Sequence, residues 1–222
     1  DNNPMIRGLE TDWGFSCLIE TGNTNILFDT GENGKILLEN MNKLGIDPKS
    51  IDIVFLSHFH HDHTGGLRDL LQINSVVKVF FPRSFPQEII EIIKKFGAEP
   101  VPVYNLIEIL PNVYTLGELT GAIPEHSLAV HSSDGIVVIT GCAHPGILNI
   151  IEKAKSKFPG ELICLIAGGF HLHRSDEEEI NGIIQKIVDM DILSVGPTHC
   201  SGNQAGNIFR EIFGSDYIEM GT

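Results

Sequence analysis

Positive charge is scarce in this 222-residue chain: 15 Lys and Arg stand against 29 Asp and Glu, a formal charge of −14 with the ten histidines neutral. No basic cluster exceeds two neighbours, Lys94-Lys95. Phosphate-rich polymers and acidic lipid surfaces are bound through basic patches, so neither nucleic acid nor a membrane is expected as a partner. Long apolar runs are missing as well. Stretches such as 51–57 and 163–167 are strand-sized, far short of the roughly 18 residues that cross a bilayer. No basic segment leading into an apolar stretch opens the chain, so no secretory signal is expected. Cysteine is limited to four residues without the compact spacing of a disulfide framework, which makes a reducing, cytoplasmic setting the expectation. Cys17 and Cys164 sit in apolar runs and read as packing residues; Cys142 and Cys200 sit in turns with Gly and His. Apolar residues at 42% and charged residues at 20% exclude a disordered or fibrous chain. The length suits one domain, residues 1–222, with a sizeable core.

What the chain does contain is an alternation of short β-rich runs and helical patterns. Strands are expected at 15–20 and 25–29, a hairpin around Thr21-Gly22-Asn23-Thr24, then at 51–57, 76–81, 101–104, 106–110 and 113–116. A second series falls at 127–131 and 136–140, joined by the turn Ser132-Ser133-Asp134-Gly135, and continues at 161–167, 192–195 and 217–219. Helices are expected over 34–44, 65–72, 86–96, 146–157, 175–190 and 203–213. Pro86 opens one and Gly97 closes it. Ser175 is the expected N-cap of another, and Asp176-Glu177-Glu178 then read as acids at the positive end of a helix dipole. Two halves, each a sheet with covering helices, imply an α/β (α+β) protein of αβ/βα sandwich type.

Four histidines fall within six residues, in Ser57-His58-Phe59-His60-His61-Asp62-His63. They follow an expected buried strand and precede a helix. Imidazole and carboxylate are the natural ligands of zinc and its neighbouring dications, and packing so many together without a cation is electrostatically poor. His58 and His60, two apart at a strand end, can point toward one metal. Asp62 and His63 turn with the loop and can reach a second. His61 points away from these and reads as a residue that either supports the ligands from behind or faces solvent.

The pattern His-x-His-x-Asp-His, standing here as His58, His60, Asp62 and His63, resembles the signature of the metallo-β-lactamase superfamily. The likeness extends over nearly the whole chain and implies a four-layer αβ/βα sandwich. It also implies one or two divalent metal ions, zinc first, with manganese or iron as alternatives. Asn25-Ile26-Leu27-Phe28-Asp29-Thr30-Gly31 looks like the strand and turn that precede the signature in that superfamily. There the matching carboxylate supports the metal loop, which makes Asp29 an orienter of ligands; its local reading is a turn carboxylate bonding its own backbone.

The remaining ligands are expected from later strand ends. His199, in Pro197-Thr198-His199-Cys200, resembles the last histidine of the superfamily, a ligand of the second metal. Thr140-Gly141-Cys142-Ala143-His144 resembles a turn that usually reads Thr-Gly-Asp, with the aspartate bridging both metals. Cys142 takes the aspartate's place here, so either its thiolate bridges or His144 supplies a ligand; His144 is the favoured assignment. His126 in Pro124-Glu125-His126-Ser127 competes for the first metal. In Ala167-Gly168-Gly169-Phe170-His171-Leu172-His173, two glycines allow close approach to a ligand and alternation puts both histidines on one side. His171 is the expected substrate contact or proton donor and, with Asp62, the expected catalytic side chain. His173 and Arg174 are expected to cap the next helix or face solvent.

The turns around Cys142, His171 and His199 together resemble the branch that includes the enzyme making the dihydropterin-ribofuranosylaminobenzene phosphate precursor of methanopterin. The primary expectation is a metal-dependent hydrolase that activates water against a small anionic substrate bearing a phosphate or diphosphate. Arg68, Arg174 and Lys35 are candidate anion contacts. The alternative is a transferase in which an arylamine displaces diphosphate from a pterin stacked on Phe59, Phe170 or Trp13. A non-catalytic metal or ligand sensor is the third reading.

Overall fold

Alternating strand patterns and one-sided helices sort the chain into two sheets, each drawn from one continuous stretch. The computed structural model describes residues 1–222. Asp1–Tyr104 with Gly221–Thr222 form one compact unit, and Asn105–Met220 form the other.

In the first unit, β1 (Cys17–Thr21) and β2 (Thr24–Phe28) pair antiparallel as the expected hairpin. Its loop is only Gly22-Asn23, with Gly22 at a φ of 65° that favours glycine. The chain then runs through α1 (Gly34–Lys43), β3 (Ile53–Phe55), a single turn α2 (His61–Thr64) and α3 (Leu67–Ile73). It continues through β4 (Lys78–Pro82), α4 (Gln87–Phe96) and β5 (Glu99–Val103). From β2 onward the strands are parallel, in spatial order β1-β2-β3-β4-β5. Leu27, Val54, Val79 and Phe81 pack with Met41 of α1, Leu67, Leu70 and Leu71 of α3 and Ile93 of α4. Each such side chain contributes about 1.5–3 kcal/mol on burial. Pro86 lies just outside α4 as its N-cap, and Gly97 ends it at φ 90°.

The second unit opens with an antiparallel meander: β6 (Ile107–Leu110), β7 (Val113–Thr115), β8 (Leu128–Ser132) and β9 (Gly135–Thr140). After it come α5 (Ile147–Lys157), β10 (Ile163–Gly169), α6 (Glu177–Asp189), β11 (Ser194–Thr198) and α7 (Asn203–Phe213). β9, β10 and β11 are parallel, and the sheet order is β11-β10-β9-β8-β7-β6. Ile180, Ile184 and Ile187 line one side of α6 and join Val138, Ile166, Val195, Ile151 and Phe209 in the core.

Most strand bounds shift by one or two residues from expectation, and the strand expected at 51–57 is only Ile53–Phe55; three differences have local reasons. Asp176, not Ser175, caps α6, its carboxylate accepting the Glu179 amide at 2.9 Å. The strand expected at 192–195 runs instead from Ser194 to Thr198, which puts His199 directly at its end. Residues 217–219 form no strand; Tyr217 makes a lone bridge to Val195. The fold class is mixed α/β with two sheets and flanking helices. No helix is long and apolar enough to cross a membrane.

Candidate metal-ligating residues

In the first unit the signature loop follows β3, and Asp29 follows directly on the neighbouring strand β2. Asp29 is fully buried in the left-handed region at φ 55°. Its amide donates to the Phe55 carbonyl at 2.8 Å, which ties the two strand ends together. One carboxylate oxygen accepts the Ser57 amide at 2.7 Å; the other accepts the Ser57 hydroxyl at 2.6 Å and faces His63 Nδ1 at 2.7 Å. Asp29 therefore bonds the loop and not its own turn.

This network sets the imidazole tautomers. The single hydroxyl hydrogen of Ser57 goes to the carboxylate, so Nδ1 of His58, 3.0 Å from that hydroxyl oxygen, must donate to it. His63 Nδ1 likewise carries its proton toward Asp29. In the neutral rings Nε2 then holds the lone pair, as metal ligation requires. His58 Nε2 lies 3.1 Å from His60 Nδ1, the His58 and His63 rings are 4.1 Å apart, and Asp62 lies 3.6 Å from His63 Nε2. His61 is exposed. All four signature donors thus lie close together, on a loop fixed by one buried carboxylate.

In the second unit the donors follow parallel strands. Ala143 after β9, His171 after β10 and His199 after β11 all take positive φ, at 58°, 55° and 50°. Such conformations cost side-chain-bearing residues about 1–3 kcal/mol each and persist where the surroundings impose them. Cys142, His144 and His171 each place one ligand atom within 4.8 Å of the others. His126 is not in that group; its Nδ1 lies 3.0 Å from the Thr115 hydroxyl. His199 is buried at the head of a 3-10 turn. The glycines before His171 serve the strand ends: a Cβ at Gly169 would lie 2.6 Å from the Cys200 sulfur, and one at Gly168 would run into the Thr140 carbonyl. The His171 and His173 rings are 5.4 Å apart, and His173 Nδ1 faces the Cys200 carbonyl oxygen at 3.2 Å.

Residues 14–199 match the family described as the Metallo-beta-lactamase superfamily. The chain belongs to the metallo-β-lactamase superfamily. It is 31% identical, over 93% of its length and 87% of the relative's, to the 7,8-dihydropterin-6-methyl-4-(beta-D-ribofuranosyl)-aminobenzene-5'-phosphate synthase of Methanocaldococcus jannaschii. Among solved structures it resembles Tm1679, a metal-dependent hydrolase of the beta-lactamase superfamily, with 28% identity, a TM-score of 0.79, and coverage of 97% of this chain and 91% of that one. The metallo-beta-lactamase fold protein YhfI from Bacillus subtilis shares the fold at 14% identity, with a TM-score of 0.70 and coverage of 99% of this chain and 91% of that one.

Within each unit the donors are of the kinds a divalent cation takes: imidazole and carboxylate in the first, imidazole and thiol in the second. Burial would push the Cys200 thiol up, but hydrogen bonds with Cys142 and His171 and the charge of His199 bring it well below the usual thiol range. The same hydrogen bond with Cys200 raises the His171 imidazole above its ordinary value, against the opposing pull of burial. Two residues of the site region were not singled out from sequence. Ser57 carries a weak signal, a hydroxyl adjoining His58. Glu125, fully buried, is marked only by standing charged at the head of an apolar run.

Proposed function

We propose that this protein is a metal-dependent hydrolase acting on a small anionic substrate that carries a phosphate or diphosphate. His58, His60, Asp62, His63, His144 and His199 are the proposed ligands of one or two dications, zinc first, with Cys142 the alternative to His144. The observation that carries the reading is the Asp29 network: one buried carboxylate fixes the Nδ1 side of His63 directly and that of His58 through Ser57, so that both rings turn Nε2 toward the other signature donors. A bound dication supplies Lewis acidity and brings the ionisation of water into the neutral range. The chain's own part is to orient and to move protons. Asp29 and Ser57 hold the signature rings; His171, exposed and raised above its ordinary value by its hydrogen bond with Cys200, is the proposed proton donor to a departing oxygen.

The 31% identity to a synthase favours a second reading, in which an arylamine replaces water as the nucleophile. The same machinery then holds the diphosphate leaving group, and a dry pocket becomes the requirement.

Elemental analysis of protein purified without added metal, coupled to a panel of phosphomonoester, phosphodiester, diphosphate and lactone substrates, tests the first reading. His58→Ala should remove both metal and turnover; full retention of metal would overturn the ligand assignment. A dihydropterin-methyl diphosphate, offered with and without arylamine, separates the two chemistries. Free pterin alcohol in both arms supports hydrolysis, and an arylamine conjugate supports transfer.

A further inference from the structure

The turn after β9, Gly141-Cys142-Ala143-His144, is held by a side chain from another loop. Glu125 is fully buried. One of its carboxylate oxygens accepts the amides of Gly141 at 3.1 Å, Cys142 at 3.0 Å and Ala143 at 3.0 Å; the other accepts the amide of His144 at 2.9 Å. Four consecutive backbone N–H groups thus converge on one carboxylate. Such a concave array of amides is an anion-binding nest, and here the anion is built into the chain. Burying a carboxylate without donors is costly, and four charge-assisted bonds offset that cost.

The turn does not hold itself. Ala143 sits at φ 58°, and α5 beyond it starts at Ile147 after Gly146, an N-cap that offers no side-chain bond. Glu125 is itself fixed: its amide and carbonyl pair with Leu119 at 3.2 and 2.9 Å. Gly121, in the same loop, lies against the outer side of the turn, where a Cβ would come 2.7 Å from the His144 carbonyl oxygen.

We propose that Glu125 is a positioning residue, whose carboxylate fixes the backbone of Cys142 and His144 and thereby sets how those two side chains are presented to a metal. This rests on the reading of Cys142 and His144 as metal donors. Control runs through the main chain, two of the four amides being their own.

Glu125→Gln tests it sharply. The amide oxygen can keep the three bonds to residues 141–143, while the NH2 group meets the His144 N–H, donor against donor. The variant should retain its circular dichroism yet bind zinc about 10–100-fold more weakly in chelator competition, the range for lost ligand-orienting groups. Its cobalt-substituted form should show altered d–d bands. A folded variant with unchanged affinity and an unchanged cobalt spectrum would overturn the proposal, since a purely structural glutamate would lower only the melting temperature. Hydrogen exchange on the wild-type protein gives an independent reading. The amides of residues 141–144 should exchange as slowly as those of β9; fast exchange at all four overturns the proposal even if Glu125→Gln does not fold. If wild-type protein binds no metal, the proposed function fails on its own. Glu125→Gln is then judged by exchange, with at least about tenfold faster exchange confined to His144 expected and an unchanged rate counting against it.

Discussion

The Asp29 carboxylate accepts three hydrogen bonds, and all three come from groups that can only donate in this arrangement. Asn in its place must turn an NH2 group toward at least one of them. Asp29→Asn should therefore cost about 1–3 kcal/mol in denaturant titration and about 10–100-fold in metal affinity. An unchanged affinity would mean that the signature loop keeps its form without the carboxylate. The residues of this network differ in how far the sequence disclosed them. His58, His60, Asp62 and His63 are written in one local run, and spacing alone brings them together. Asp29 was legible through the strand-and-turn motif around it. Ser57 and Glu125 were not, because their roles consist of accepting or relaying bonds to residues 16 to 28 positions away that only folding brings near. A lone glutamate before a histidine has the same appearance whether it faces solvent or four amides.

At the scale of elements, strands and helices were legible wherever a period and a terminator coincide, as in α4 between Pro86 and Gly97. The stretch 217–219 was not, since its β-rich composition meets only a lone bridge at Val195. Glycines divide by what surrounds them. Gly168 has φ 119°, and its Cβ would strike the Thr140 carbonyl where β9 and β10 converge. Gly168→Ala should cost about 2–4 kcal/mol, combining backbone strain with steric displacement. Gly182, within α6, has open space around its Cβ position; Gly182→Ala should stabilise by about 0.5–1 kcal/mol through helix propensity. Equal midpoints for the two variants in urea would contradict this reading of the strand ends.

For the molecule as a whole, the order of the elements disclosed two sheet-and-helix halves, and the signature motifs disclosed the superfamily. Which residues of the second half cluster was open, because Cys142, His126 and His144 all offered plausible spacing. Within that half, Cys142, His144 and His171 are the group that comes together. Metal that binds only the folded chain must stabilise it. At a free dication concentration near 100 times Kd, the gain is about 2.7 kcal/mol, which for a chain of this size is about 5–10 °C in melting temperature. Calorimetry before and after chelation should show a drop of that order, restored by zinc. Identical melting temperatures would remove the metal from the folded state.

The division into Asp1–Tyr104 and Asn105–Met220 also orders events in time. Translation at about 5–20 residues per second takes on the order of ten seconds to deliver the second unit after the first has left the ribosome. Asp29, Ser57 and the signature histidines all lie in the part made first. The nascent chain thus carries those imidazoles for several seconds before Glu125 and its turn exist, and any metal met in that interval meets only four of its six proposed ligands.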